Sequence, residues 1–407
     1  MDLWSEDSEA PFIRSRRLIS ASLSDILLVH LTLEAVCIVQ AYLLSYNIQG
    51  VNERRPGLED FAAKKIFAFK FFLEGHIILS VKVTRVSRFV GGRMAADIRR
   101  VACVGSGLIG QEWATLFSSR GLEVVLQDLS EAVLEKSQSR VRSNLEFLEA
   151  KGLLEPGEAK TALKRIKISK SIGEAVDDAD YVQESVPDDY DLKKRVFREI
   201  DSAAPAHAIL ASSSSGLLMT EIQKVAARPG RCVLVHPVLP VYLIPLVEIV
   251  GGEETSHETA IAAHDFMKKL GKVPVILKRE VSGYIVNRLQ AALLREAIDL
   301  VDRGVASAED VDKAFCMGIG LRDPIIGPFL RIHLAGGGVE RFIENFSQSY
   351  RYRWETMETW TSIPPSAAEK VVKSVRGMEV VRKKTLEEIG SWRDEMLVKL
   401  LKVVRER

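Results

Sequence analysis

From Arg100 onward the chain alternates short apolar runs with longer amphipathic stretches. VACVG (101–105) is a run rich in β-branched residues. GSGLIG follows at once, and QEWATLFSSRG then sets Trp113, Ala114 and Phe117 at helical spacing, so the segment predicts a strand, a tight turn and a helix. After Gly121 a second apolar run, LEVVLQD, predicts another strand. A helical region is expected from Glu131 to Lys170. DADYVQESVPDDYDLKKRVFREI then passes from strand into amphipathic helix, and AILASSSSGLL gives a further strand ending in four serines. Such alternation predicts an α/β fold, a doubly wound and mostly parallel sheet whose ligands lie beyond the carboxyl ends of its strands. From Ser282 the pattern is helical almost throughout, with Ile285, Leu289, Leu293 and Ile298 on one face. A second, all-helical domain is therefore expected. The organisation read from the pattern is an extension over residues 1–95, a nucleotide-binding domain over 96–281 and a helical substrate and dimerisation domain over 282–407.

The first ninety-odd residues follow a different pattern, with a Leu-rich run from Leu18 to Ile48, a basic and aromatic patch KKIFAFKFF, and a broken apolar stretch HIILSVKV. Asp25, His30 and Glu34 make a membrane-spanning helix expensive there, and the flanks do not match a cleaved secretory signal. The segment reads as an extension that the core fold does not need, whether a disordered arm, a targeting peptide or an artefact of the gene assignment.

Composition narrows the function classes. The 407 residues carry 56 basic and 55 acidic side chains, which gives no electrostatic case for nucleic acid. Cys37, Cys103, Cys232 and Cys316 are scattered without redox or metal spacing, so a reducing compartment and free thiols are expected, and no metal site.

Two groups of residues carry chemistry. In the glycine loop, Gly105 permits the turn, Gly107 lets the backbone approach a pyrophosphate, and Gly110 lets the helix pack close on the strand. Asp128, 23 residues beyond Gly105, ends the second strand, where a carboxylate accepts ribose hydroxyls and repels a 2′-phosphate, so NAD is expected over NADP. The second group is VLVHPVLPVYLIPLVEIV (233–250), which sets His236 and Glu248 into an apolar, proline-punctuated run. An imidazole and a carboxylate buried there are costly unless bonded to one another, and such a pair makes a proton acceptor whose tautomer the carboxylate sets. Ser212–Ser215, Asp188 and Lys193 fall at strand ends, and one of the four serines is expected to cap a helix.

These residues together resemble the 3-hydroxyacyl-CoA dehydrogenase superfamily and, within it, the lambda-crystallin or L-gulonate 3-dehydrogenase branch. The resemblance runs from about Ile98 to Arg407 through GSGLIGQEWATLFSSRG, QESVPDDYDLKK, ASSSSG, HPVLPVYLIPLVEIV, SGYIVNRLQ, GIGLRDPIIGPF and WRDEMLVKLLK. It implies a Rossmann-type domain followed by a helical one, with His236 as general base, Glu248 orienting it, and Ser215 and Asn287 at the substrate oxygen. It further implies Leu108, Ile109, Asp188 and Lys193 at the nucleotide, NAD as cofactor, a cytosolic homodimer and a small hydroxy-acid substrate. A 3-hydroxyacyl-CoA thioester, or NAD binding without turnover, are the alternatives. Two departures stand out. Leu239 and Val241 replace an asparagine and a proline of the family's turn after the histidine, and Asp323 and Pro324 depart from the pattern beside Arg322. The Arg322 guanidinium could clamp a substrate carboxylate through two parallel hydrogen bonds, or pair with Asp323 on the surface. WRDEMLVKLLKVVRER reads as an amphipathic basic helix that packs on the protein.

Overall fold

The eight strands of the sheet are β1 (Arg100–Val104), β2 (Glu123–Gln127), β3 (Ile166–Ser169), β4 (Tyr181–Glu184), β5 (Ile209–Ser212), β6 (Cys232–Pro237), β7 (Leu246–Val250) and β8 (Val273–Leu277). They lie in the order β3-β2-β1-β4-β5-β6-β7-β8, and every neighbouring pair is parallel except β6 and β7. The computed structural model describes residues 98–405, which fall in a unit spanning Gly91–Arg407. The extension read over residues 1–95 lies outside the described residues.

Helices cover both faces of the sheet: α1 (Leu108–Ser119), α2 (Glu131–Ala150), α3 (Glu158–Leu163), α4 (Ile172–Val176), α5 (Tyr190–Ala203), α6 (Met219–Gln223) and α7 (His257–Lys269). Side-chain alternation along β1 shows why two cores form. Val101 and Cys103 join a cluster with Trp113, Phe117, Tyr181 and Phe266, whereas Ala102 and Val104 join another with Val182, Phe197, Ile200 and Leu234. Strands buried on both faces read as continuous apolar runs, as VACVG does. Ser130, Asp189 and Ser256 cap α2, α5 and α7, accepting from Val133, Leu192 and Thr259 N–H. The stretch read as helical to Lys170 breaks at α3 and ends in β3, whose burial is only intermediate and whose edge position leaves a weak apolar signal.

None of the four serines caps a helix. The helix after them begins at Met219 with Leu218 as its N-cap residue, and the serines bond elsewhere. Ser212 Oγ donates to Glu184 Oε2 (2.6 Å), and Ser214 Oγ accepts the Leu217 N–H (3.0 Å). Ser213 Oγ takes the Trp113 indole N–H (3.0 Å) and the Gln183 amide (2.8 Å). A run of small hydroxyls at a buried strand end satisfies the backbone of the loop leaving the sheet.

The helical region comprises α8 (Val286–Asp302), α9 (Ala308–Ala314), a π turn at Phe315–Ile319, α10 (Gly320–Arg322), α11 (Pro328–Gly336), α12 (Val339–Trp354), α13 (Pro365–Gly377), α14 (Glu379–Lys383) and α15 (Leu386–Arg405). Of the face predicted along α8, Ile298 is buried while Leu289 and Leu293 stay exposed. α15 returns to the sheet region, where Val398 is buried in the first core cluster and Lys151 pairs with Glu395 at 2.8 Å.

Candidate active site

The β6–β7 hairpin places the histidine. Its antiparallel register sets His236 directly opposite Glu248, so twelve residues of separation become neighbours on one sheet face. His236 Nδ1 donates to Glu248 Oε2 at 2.8 Å, both side chains are buried, and the imidazole lies 5.2 Å from the Tyr284 ring. Glu248 Oε1 accepts the backbone N–H groups of Ile285 (2.8 Å) and Val286 (3.1 Å), which open α8. One carboxylate therefore ties the strand to the first turn of the helical domain. Burial pushes its pKa up, but the His236 hydrogen bond and the Val286 and Ile285 N–H groups outweigh that and hold it below the ordinary carboxylate value. With Nδ1–H given to a carboxylate, Nε2 is the ring nitrogen with a lone pair, and it can take up a proton.

The sequence joined these two residues correctly, but not the reason for their spacing, because β7 and β8 carry no clean alternation. Tyr284 was not singled out either. Its φ of 49° lies in the left-handed region, and its hydroxyl donates to the Leu217 carbonyl at 2.6 Å, locking the segment that leads into α8. A large aromatic two residues before the helix was the available signal.

At the same end of the sheet lies a cleft of about 650 Å³ whose walls include Gly107, Leu108, Ile109, Asp128, Asp188 and Ser215. The loop glycines divide their work as the spacing predicts. Gly105 has φ +86°, and a Cβ on Gly110 would stand 1.8 Å from the Gly105 carbonyl oxygen. A Cβ on Gly107 would meet nothing within 4 Å, so that position faces the open cleft where a pyrophosphate fits above the N-terminus of α1. Asp128 is held by Ser106 N–H (3.0 Å) and Ser130 N–H (3.1 Å) at the end of β2. This cradle, with a fixed carboxylate lining the cleft at the end of β2, fits NAD.

Ser215, Asp188 and Lys193 form a chain. Ser215 N–H (3.0 Å) and Oγ–H (2.9 Å) both donate to Asp188 Oδ2, and Lys193 Nζ stands 3.4 Å from Asp188 Oδ1. Burial raises the Asp188 pKa, but the Ser215 N–H, Lys193 and the serine hydroxyls prevail and lower it. Lys193 is 1% exposed and bonds Glu184 Oε1 (2.7 Å) and the Val186 carbonyl (2.9 Å). It therefore bears on the cleft through Asp188, which lines it, rather than from the cleft wall. Asn287 donates to the Ser215 carbonyl (3.0 Å), bringing the α8 asparagine to the serine loop. Arg322 stands apart. It is exposed on α10, and Asp323 pairs with Arg331 at 2.9 Å instead of with it. Of the departures in the turn, Leu239 lines the cleft at 41% exposure and Val241 is buried.

Among the described residues no group of three His, Cys, Asp or Glu side chains is arranged to hold a metal, and no helix is long and apolar enough to cross a membrane. Cys103 and Cys232 are buried free thiols, and burial pushes the Cys232 pKa up to about 12.

A doubly wound sheet, a glycine loop facing a dinucleotide-sized cleft and a buried His–Glu pair at the same end of the sheet define an NAD-dependent oxidoreductase acting on a CH–OH group. Comparison with known proteins gives the family. The NAD binding domain of 3-hydroxyacyl-CoA dehydrogenase matches residues 100–281, and the C-terminal domain of that enzyme matches residues 283–387. The chain belongs to the 3-hydroxyacyl-CoA dehydrogenase family. It is 39% identical to L-carnitine dehydrogenase of Oceanobacillus iheyensis over 312 residues, 76% of this chain and 99% of the relative. It is 34% identical to the human lambda-crystallin homolog over 304 residues, 74% of this chain and 95% of the relative. Among solved structures, an NAD-dependent 5-formyl-3-hydroxy-2-methylpyridine 4-carboxylic acid 5-dehydrogenase superposes with TM-score 0.66 at 29% identity, covering 76% of this chain and 99% of that one. (S)-3-hydroxybutyryl-CoA dehydrogenase from Ralstonia eutropha gives TM-score 0.53 at 29% identity, covering 69% and 94%.

Proposed function

We propose that this enzyme oxidises a small, free 3-hydroxy acid to the 3-keto acid, with His236 as general base. The 2.8 Å His236–Glu248 bond beside the cleft is the observation that carries this reading. Similarity to L-carnitine dehydrogenases favours a free acid, and with the resemblance to the L-gulonate 3-dehydrogenase branch it makes L-carnitine and L-gulonate the first substrates to test.

NAD, when bound, supplies the hydride acceptor. The chain's own residues supply orientation and proton handling. His236 Nε2 takes the hydroxyl proton, and Glu248 stabilises the imidazolium that results while fixing the ring's tautomer. Asn287 offers its remaining amide proton to the reacting oxygen, and Ser215 joins it by turning its hydroxyl away from Asp188. Asp188 and Lys193 hold the serine loop against the cofactor, Leu108 and Ile109 line its cleft with the glycines, and Asp128 selects NAD over NADP. Arg322, exposed on α10 and absent from the cleft wall, has no part as a substrate clamp in this reading. The helical domain's exposed apolar side chains, Leu289, Leu293, Phe329 and Leu334 among them, support a homodimer. A reducing, cytoplasmic setting suits its free thiols.

The test is to offer L-carnitine, L-gulonate, L-3-hydroxybutyrate and 3-hydroxybutyryl-CoA side by side and follow NADH formation. Turnover of a free acid supports the reading. Preference for the thioester, or silence with all four, contradicts it.

A further inference from the structure

A second buried polar cluster lies beside the active-site hairpin, and the chemistry above does not use it. Glu112, in the second turn of α1, is 7% exposed, and its Oε2 accepts the Val241 backbone N–H at 2.6 Å across the sheet end. Lys272, 6% exposed just before β8, donates to the Ile244 carbonyl at 2.6 Å and to the Val241 carbonyl, and its ammonium lies 5.7 Å from the Trp113 ring centroid. The turn between β6 and β7 is thus gripped from both sides, a carboxylate on an amide and an ammonium on two carbonyls. This turn also carries Leu239 into the cleft beside Ser213 and Ser215, three residues beyond His236.

The residue at 241 makes the grip possible. A proline at that position would have no N–H to give, and a buried glutamate facing it would lack this partner. Val241 and Glu112 therefore operate as a pair, and they sit in the same turn as the Leu239 departure.

We propose that Glu112 is a positioning residue for the reaction: by holding the Val241 amide it fixes the turn that follows His236 and carries Leu239 to the wall of the cleft. This rests on the reading of His236 as the base beside a substrate pocket. The charged and titratable groups facing Glu112 are Lys272 from the β8 side, Arg393 and Asp394 from α15, and Tyr242 of the turn, which is coupled to both Glu112 and Asp394. Burial pushes the Glu112 pKa up to about 7, with the Val241 N–H opposing it, Asp394 adding to it, and Arg393 and Lys272 opposing it. The amide bond is charge-assisted above neutrality and weakens as pH falls through that value.

The test compares Glu112→Ala with Glu112→Gln in the full chain. The ¹⁵N–¹H resonance of Val241 should titrate near neutral pH in the wild type, stay flat in Glu112→Gln, and shift in Glu112→Ala. With whichever hydroxy acid is turned over, Glu112→Ala should raise its KM about tenfold, and Glu112→Gln should restore most of the loss. A Val241 resonance that ignores pH in the wild type, or a Glu112→Ala variant with an unaltered hydroxy-acid KM, overturns the proposal. The resonance needs no substrate, so it decides the matter even if none of the four candidate acids reacts. Should Glu112→Ala fail to fold, the comparison of wild type with Glu112→Gln decides it.

Discussion

At the scale of single residues, the chemistry depends on partners that the sequence could suggest but not measure. Asp128 was legible because an acid ending the second strand at that distance from a glycine loop has one common purpose. The structure adds the Ser106 and Ser130 N–H groups that hold it. Replacing Asp128 with Ser should weaken NAD by about tenfold and narrow the preference over NADP, as titration of each cofactor will show. The opposite lesson comes from Lys193. The family resemblance implied a place at the nucleotide, yet burial against Glu184 makes it a counter-ion inside the domain, a fate that linear spacing cannot reveal. Glu112 and Tyr284 were missed for the same reason, since their partners lie 129 and 67 residues away.

Elements were legible in proportion to how regularly they repeat. β1, the glycine turn and α1 follow from VACVGSGLIG alone, and close packing of that unit is why Gly110→Ala should be severe. With a Cβ 1.8 Å from the Gly105 carbonyl, the helix must move, and a loss of about 1–3 kcal/mol or more in denaturant unfolding is expected, together with weakened NADH binding. An Ala variant that unfolds and binds like the wild type contradicts the close-packing role. The hairpin was harder. β7 runs against its neighbour, and its apolar run with two prolines upstream looks neither helical nor alternating, so only the polar pair betrayed it. β3 and β8 have mixed burial and were not separated from neighbouring helices. α15 was read as packing on the protein, and it does so through Val398.

For the whole molecule, Glu248 joins the two halves. It binds the imidazole on one side and the opening of α8 on the other, so its ionisation is felt by both domains. Its folded pKa lies below the ordinary carboxylate value, as does that of Asp188. Such groups contribute stability that is full above the unfolded value, near 4 to 4.5, and that is lost as pH falls through the lower folded values. Thermal unfolding should therefore show a melting temperature that drops steeply in that acid range, and Glu248→Gln should flatten part of the drop. An unchanged acid slope in Glu248→Gln removes Glu248 from the linkage. On the open side of the helical domain, Leu289→Glu together with Leu293→Glu should convert the proposed homodimer to monomer in sedimentation, because two charges cannot be buried in an apolar interface without partners. A species of the same mass as the wild type would place the interface elsewhere.

The most direct measurement is turnover and NADH affinity of His236→Gln beside the wild type, each with its best hydroxy acid. Loss of kcat on the order of 10²–10⁴-fold with NADH affinity preserved is the predicted result, since the variant keeps the fold and the cofactor cradle but has no ring nitrogen to take the proton. Turnover equal to the wild type would show that the buried His–Glu pair is not the base.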